Sequence, residues 1–402
     1  MSLNDTPSGE RPHIAFFGLT NAGKSSLVNA ITGQDLAIVS EKKGTTTDPV
    51  QKAMEILPLG PCLLIDTPGL DDTSELGAKR IARSLRVLAH TDLAVLVTEA
   101  GRSLSREEQA FIQNVEAEHL PLLCVANKAD LLEPGAQETK DLFFVSARTG
   151  YHIPELRETI AQRLCQNEQQ KQVLCRDLVG CGEICLLVIP IDSAAPKGRL
   201  ILPQQQVLRD LLEGQAIGLV TSPQTLPLAL NKVRPKLVVC DSQVFDQVAE
   251  ETPDSIALTS FSILMARYKG YLAAAVKGVQ AIDQLKDGDT ILMAEGCTHH
   301  RQCEDIGTVK IPRWLKAHTG KKLNFVTSSG NAFPEDLSGI ALCVLCGGCM
   351  LNAREMQSRL RLALAQNVPV TNYGIVIAAM RGILPRAISM LPGFSGREVS
   401  GA

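Results

Sequence analysis

The octapeptide Gly18-Leu19-Thr20-Asn21-Ala22-Gly23-Lys24-Ser25 limits what this chain can fold into more than any other feature. It has the spacing G-x-x-x-x-G-K-S and lies between an apolar run at residues 13–18 and an amphipathic stretch at 25–32. Glycines at its ends let backbone N–H groups close around phosphate oxygens, and the helix that follows turns its positive end to the anion. Lys24 is then placed to reach the β- and γ-phosphates and Ser25 to hold Mg²⁺. Strand, loop and helix in that order imply an α/β sheet. The chain up to residue 165 agrees, with short apolar runs at 61–65, 93–97, 122–126 and 142–145 and helical patterns at 78–89, 106–118 and 154–164. Buried strands alternating with helices predict a parallel sheet.

Four more motifs sit beyond these runs in the right order. Asp66-Thr67-Pro68-Gly69 closes the strand at 61–65 and puts the Asp66 carboxylate on the metal side of the phosphates. Gly44-Thr45-Thr46-Thr47-Asp48 supplies Thr46 as a switch ligand for Mg²⁺. Asn127-Lys128-Ala129-Asp130 closes the strand at 122–126, and Ser146-Ala147 follows the strand at 142–145. The Asp130 carboxylate can accept from guanine N1–H and the 2-amino group. Adenine offers neither donor, so such a site discriminates by roughly 10⁴–10⁵. The expected nucleotide site is Gly18, Asn21, Ala22, Gly23, Lys24, Ser25, Ser26, Asp66, Gly69, Asn127, Lys128, Asp130, Ser146 and Ala147. Mg²⁺ is expected on Ser25, Thr46 and Asp66.

The polar run at 166–172 (QNEQQKQ) reads as a boundary. Beyond it come a strand at 184–191, a helix at 204–213, a strand at 237–240, a helix at 243–251, a strand at 255–259 and one long helical pattern at 261–282. Turn chemistry at 286–289 precedes strands at 290–294, 323–327, 339–345 and 368–371 and helices at 352–365 and 373–381. The expected architecture is α/β, a phosphate-loop domain at 1–168 followed by two smaller α/β domains at 169–268 and 269–402. A chain of 402 residues with 40 basic and 43 acidic side chains, net −3, gives no support for a nucleic acid or an anionic membrane as partner. The first twelve residues are polar, and no apolar stretch approaches the roughly 18–20 residues of a spanning helix, so a cytoplasmic chain is expected.

Twelve cysteines are many for a reducing compartment, where disulfides are rare, and five of them fall between 297 and 349. Cys297-Thr298-His299-His300 follows the strand at 290–294, and Cys346-Gly347-Gly348-Cys349 follows the strand at 339–345. Both groups therefore belong to the carboxyl edge of a parallel sheet, the usual ligand edge. Thiolates gathered there suit zinc or an iron–sulfur cluster. Cys343 should point into the core and Cys303 is ambiguous. Cys175, Cys181 and Cys185 form a loose group whose spacing misses the C-x3-C-x2-C pattern of radical-SAM enzymes.

On these motifs, residues 13–165 resemble the TrmE/Era-like branch of the GTPases. The resemblance implies slow hydrolysis, because Leu70 stands where Ras-like enzymes carry a water-orienting Gln. It also implies a K⁺ ion at Asn21 in the role of an arginine finger, which makes Lys24, Asn21 and Thr46 the expected catalytic set. Read as a whole, a GTPase followed by C-x-H and, 49 residues after the first cysteine, C-x-x-C resembles the FeFe-hydrogenase maturation GTPases, HydF. That resemblance implies a 4Fe-4S cluster on Cys297, Cys346 and Cys349 with an exchangeable fourth position. Leu345 replaces the histidine that often precedes C-x-x-C in the family, leaving His299 as the nearest candidate for the fourth ligand, with water or an acidic residue such as Glu295 as alternatives. It further implies a homodimer or tetramer built on the middle domain. Its role would be a scaffold and carrier that receives a di-iron precursor from radical-SAM maturases and delivers it to apo-hydrogenase, with GTP as switch. The rivals are an Era-like GTPase of ribosome or tRNA maturation, for which the C-terminal half offers no basic run, and a GTPase with a structural zinc or iron–sulfur site.

Overall fold

The computed structural model describes residues 8–33, 50–71, 86–132, 142–168, 173–191, 200–296, 305–330 and 332–394. The chain divides into two compact units, Met1–Lys171 and Gln172–Ala402. The first is built on β1 (His13–Phe17), β2 (Val50–Ile56), β3 (Gly60–Asp66), β4 (Leu93–Glu99), β5 (Leu122–Asn127) and β6 (Phe143–Phe144). Their order is β2-β3-β1-β4-β5-β6, parallel except for β2, which runs antiparallel to β3. All of β1 is buried, and alternate residues serve opposite faces. Ile14 and Phe16 join the core that includes Leu27, Ile31 and Ile160 of helices Lys24–Thr32 and Ile153–Glu168. Ala15 and Phe17 join the core that includes Phe111 and Val115 of helix Arg106–Ala117. That helix starts where its composition says it should: Ser105 and Glu108 form a reciprocal capping box. Because β1 has β3 on one side and β4 on the other, a crevice opens at its carboxyl end, the preferred ligand position of such a sheet.

The second unit holds two parallel sheets. One comprises β7 (Ile184–Val188), β8 (Ile217–Thr221), β9 (Leu237–Cys240) and β10 (Ala257–Ser260), in the order β10-β9-β7-β8. The other comprises β11 (Thr290–Glu295), β12 (Asn324–Ser329), β13 (Ile340–Leu345) and β14 (Val370–Asn372), in the order β12-β11-β13-β14. A single core runs through both, from Leu187 and Val239 through Phe261 and Leu264 to Leu292, Val344 and Ile375. Polar bolts cross the same junction. Asn372 Nδ2 donates to the Ser262 carbonyl at 2.8 Å, and Arg386 donates to the carbonyls of Ala249, Thr252 and Pro253 at 3.1, 2.8 and 2.7 Å.

The long helix expected at 261–282 is broken. Helix Phe261–Tyr268 stops before Gly270, whose φ of 76° leaves the helical region, and the chain restarts as Leu272–Gly278 and a 3₁₀ turn, Val279–Gln284. Strands β2 and β8 and helices Ile311–Thr319 and Leu384–Ile388 are additions to the sequence-based expectation. The expected helix at 78–89 lies largely outside the described residues. No helix among the described residues is long and apolar enough to cross a membrane.

Candidate functional site

The phosphate loop spans from β1 to helix Lys24–Thr32. Its first residue has to be glycine, because a Cβ on Gly18 would lie 2.1 Å from the Val97 carbonyl oxygen of β4. A Cβ on Gly23, at φ 87°, would lie 2.3 Å from Asn127 Nδ2. These close approaches draw the ends of β1, β4 and β5 together around the loop. Lys24 is buried, and its Nζ donates to the carbonyls of Gly18 and Leu19 at 3.1 and 2.9 Å, so it curls back over the loop it serves. Burial pulls its pKa below the usual lysine value, with the Asp66 and Asp71 carboxylates opposing. Asn21 is exposed at φ 62°, a conformation that Asn tolerates.

The Ser25 hydroxyl donates to Asp66 Oδ2 at 2.5 Å. Asp66 Oδ1 is buried without a hydrogen-bond partner among the described residues, and burial holds the carboxyl above the usual carboxylate range. A hydroxyl and an acceptor-only oxygen gathered at the end of β3 fit a hard divalent cation such as Mg²⁺. Leu70, which follows Gly69, is buried against the core of Phe17 and Ile65 and donates its N–H to the Gly18 carbonyl at 3.1 Å. An apolar side chain therefore stands at that position and cannot orient water.

The base pocket is assembled at the ends of β5 and β6. Asn127, 2 % exposed, donates from Nδ2 to the Ala22 carbonyl at 3.1 Å and accepts from the Ala147 N–H at 3.0 Å. It thus ties the phosphate loop to the base loop. Asp130 Oδ1 accepts from the buried Ser146 hydroxyl at 2.5 Å, and Oδ2 meets Arg148 Nη2 at 2.8 Å. The Ser146 hydrogen bond, and then the Arg148 charge, hold Asp130 below the usual carboxylate range, so it is an ionised acceptor at neutral pH. Lys128 adopts φ 65° and pairs with Glu99 at 3.2 Å.

A second site lies at the carboxyl ends of β11 and β13. The Cys346 N–H donates to the Ala294 carbonyl at 2.9 Å, aligning the two strand ends. Cys346 Sγ accepts N–H groups from Gly296 at 3.0 Å and Gly348 at 3.3 Å. Two backbone donors on one sulfur suit a thiolate. Burial nonetheless raises the pKa of Cys346, and it pushes Cys349 up to about 11. Two buried cations oppose this: Arg359, 3 % exposed, acts on Cys346, and Lys269, 1 % exposed, acts on Cys349. The Tyr271 hydroxyl braces the loop from below by donating to the Cys346 carbonyl at 3.2 Å. Thiolates with N–H donors and nearby positive charge fit a metal or cluster ligand set.

Of the expected site residues, Thr46, Cys297 and His299 lie outside the described residues, as do His300 and Cys303. Gly296 is the last described residue before Cys297, and its N–H on Cys346 Sγ puts the carboxyl end of β11 beside the C-x-x-C loop. Cys343 is buried in β13, where burial pushes its thiol up to about 12, and it serves as core. Cys175 and Cys185 are buried too, whereas Cys181 is exposed. Sequence reasoning missed Lys269, Tyr271 and Arg359. The only local signal was Lys269-Gly270-Tyr271 interrupting an apolar pattern. It also missed Asp71, whose Oδ1 accepts from the Thr20 N–H at 2.7 Å and from the Thr20 hydroxyl at 2.8 Å.

Residues 174–270 match the family model of the hydrogen maturase F dimerization domain, and residues 273–390 that of the hydrogen maturase F tetramerization domain. Residues 13–128 match the model of the 50S ribosome-binding GTPase. GTPase Der of Kosmotoga olearia is 32 % identical over 166 residues, covering 37 % of this chain and 37 % of its own. The tRNA modification GTPase MnmE of Chromobacterium violaceum is 37 % identical over 160 residues, covering 39 % of this chain and 35 % of its own. The chain thus spans little more than a third of the length of these curated relatives. A solved structure of Era from Aquifex aeolicus is 25 % identical, with a TM-score of 0.33, covering 38 % of this chain and 56 % of that one.

Proposed function

Because this chain belongs to the hydrogen maturase F family and is a GTPase, we propose that it works as a scaffold and carrier. It assembles a di-iron precursor of the hydrogenase active site and delivers it to apo FeFe-hydrogenase, with slow, K⁺-stimulated GTP hydrolysis as the switch. The observation that carries the reading is the pairing of strand ends at β11 and β13, where the Gly296 N–H meets Cys346 Sγ. In this reading residues 169–268 make the dimer contact, residues 269–402 hold the cluster, and the protein acts in the cytoplasm with radical-SAM maturases as donors of the cargo.

Cys297, Cys346 and Cys349 would hold a 4Fe-4S cluster, with His299 as the weak fourth ligand. When bound, such a cluster supplies an iron that a bridging ligand of the cargo can reach. The chain's own part is to orient the sulfurs and to offset part of the burial that disfavours their charge: Gly296 and Gly348 donate to Cys346, and Arg359 and Lys269 favour the charged forms of Cys346 and Cys349, which ligation would then hold deprotonated. In the GTPase unit, Lys24 and the loop N–H groups hold phosphates, Ser25, Thr46 and Asp66 the Mg²⁺, and Asp130 the guanine. Asn21 would carry K⁺.

The test is anaerobic purification with iron and sulfide analysis and electron paramagnetic resonance. Cys297→Ala, Cys346→Ala and Cys349→Ala should each lose the cluster and the activation of apo-hydrogenase. Cys343→Ala should keep both, and His299→Ala should keep most iron with an altered reduced spectrum. A colourless wild type containing zinc would overturn the carrier reading.

A further inference from the structure

Three groups define where the end of a nucleoside triphosphate must lie. Lys24 Nζ, which reaches the β- and γ-phosphates, rests on the carbonyls of Gly18 and Leu19. Ser25 and Asp66 mark the metal side. Gly69 closes the opposite wall and packs on Thr20: a Cβ on Gly69 would lie 2.3 Å from Thr20 Oγ1 and 2.9 Å from Asp71 Oδ1. The γ-phosphate therefore belongs between residues 18–24 and Gly69, next to Thr20. That edge is already bonded, since one oxygen of Asp71 takes both donors of Thr20, at 2.7 and 2.8 Å. Against the upward push of burial, these two bonds and the charge of Lys24 keep Asp71 below the usual carboxylate range, so it is ionised. A carboxylate and a γ-phosphate are both anions and both address Lys24.

We infer that Asp71 discriminates between the two states of the nucleotide: its carboxylate, latched to Thr20, favours GDP and has to be displaced by the γ-phosphate of GTP. The latch sits one residue beyond Leu70, so the switch segment that leaves β3 is held to the phosphate loop by Asp71 and by the Leu70 N–H on Gly18. GDP leaves this contact intact. GTP opposes it by charge, so loss of the Thr20–Asp71 contact marks the presence of the γ-phosphate. Losing a charge-assisted contact of this kind changes an equilibrium by about tenfold.

The inference rests on guanine-nucleotide binding by this unit, whose own failure would appear as a wild type that binds neither nucleotide. The test titrates fluorescent N-methylanthraniloyl GTP and GDP, with Mg²⁺, into the full chain and into three variants. Asp71→Asn keeps the shape and removes the charge, and it should shift the affinity ratio toward GTP by about tenfold. Thr20→Ala keeps the N–H donor and should shift it less, in the same direction. Thr20→Ser keeps both donors and should leave the ratio as in the wild type. An unchanged ratio in Asp71→Asn and Thr20→Ala overturns the latch. So does an equal loss of affinity for both nucleotides in Asp71→Asn, because removing the latch must favour GTP.

Discussion

Replacing Asp130 with Asn should convert a guanine site into a xanthine site, and the surroundings of Asp130 set the size of the effect. The side chain is 12 % exposed, and its two oxygens meet Ser146 and Arg148. Neither neighbour resists the change. A hydroxyl both donates and accepts, so Ser146 can turn its lone pairs to the new amide, and Arg148, 75 % exposed, contributes little in water. The loss therefore falls on the base. Guanine presents two donors to the carboxylate, each hydrogen bond worth about 1.5–3 kcal/mol with a charged acceptor. Asn keeps one acceptor, now neutral, and points an N–H at the other donor, so one charged hydrogen bond is lost and the other weakened, forfeiting about 2.5–4.5 kcal/mol, or roughly 10²–10³ in GTP affinity. Xanthine carries a carbonyl where guanine has its amino group and accepts that N–H. Titration with labelled GTP and XTP should show the first weakening by that factor and the second strengthening relative to the wild type. Equal losses for both nucleotides would mean that Asp130 shapes the pocket without reading the base.

Asp66→Asn should raise the melting midpoint of the chain without nucleotide at pH 7 while weakening Mg²⁺-dependent nucleotide binding. The buried Asp66 carboxyl has a raised pKa, so its ionisation costs stability that is present at low pH and lost as pH rises through the folded value. The gap between variant and wild type in calorimetry should accordingly close as pH is lowered, and a gap that widens refutes the assignment. Potassium should stimulate hydrolysis by about tenfold or more over sodium at matched ionic strength, the arginine-finger scale being an upper bound. Asn21→Ala should abolish the difference, and equal rates in both salts for the wild type would exclude an ion at Asn21. Strand β8 is the outer strand of its sheet, with Ile217 46 % and Val220 50 % exposed, so Val220→Lys should weaken the dimer by roughly tenfold or more. Light scattering on the full chain at micromolar concentration checks it, and an unaffected dimer moves the contact elsewhere.

The nucleotide site was legible because each part is local: a motif of a few residues at the end of an apolar strand. What the sequence hid is long-range or exposed. β2, VQKAMEI, lacks the apolar run that marked the inner strands, whereas β8, IGLVT, carries a short one that was passed over and lies at the exposed edge of its sheet. The helix at 261–282 read as continuous because the apolar pattern resumes at Tyr271 and Leu272 after the short Lys269-Gly270 interruption. Helix Ile311–Thr319 was readable, with Pro312 in its first turn and Gly320 after its last, and was passed over. Tyr271 and Cys346 are separated by 75 positions, and nothing in either neighbourhood announces that they meet.

The core shared by the two sheets of the second unit decides where this chain can be cut. The two family models meet between residues 270 and 273, which invites excision there. A break at that point would strip Ser262 from Asn372 and Tyr271 from Cys346, and leave Phe261, Leu264 and Ile375 facing water on separate pieces. Such fragments should be insoluble, whereas a piece beginning at Gln172 keeps every one of these contacts. The same core joins the elements of residues 174–268, where the dimer contact is proposed, to those that carry the cysteine loop. A spectroscopic label on exposed Cys181 and another beside the cysteine loop should hold a fixed separation whichever nucleotide is bound, so the unit turns as a whole or not at all.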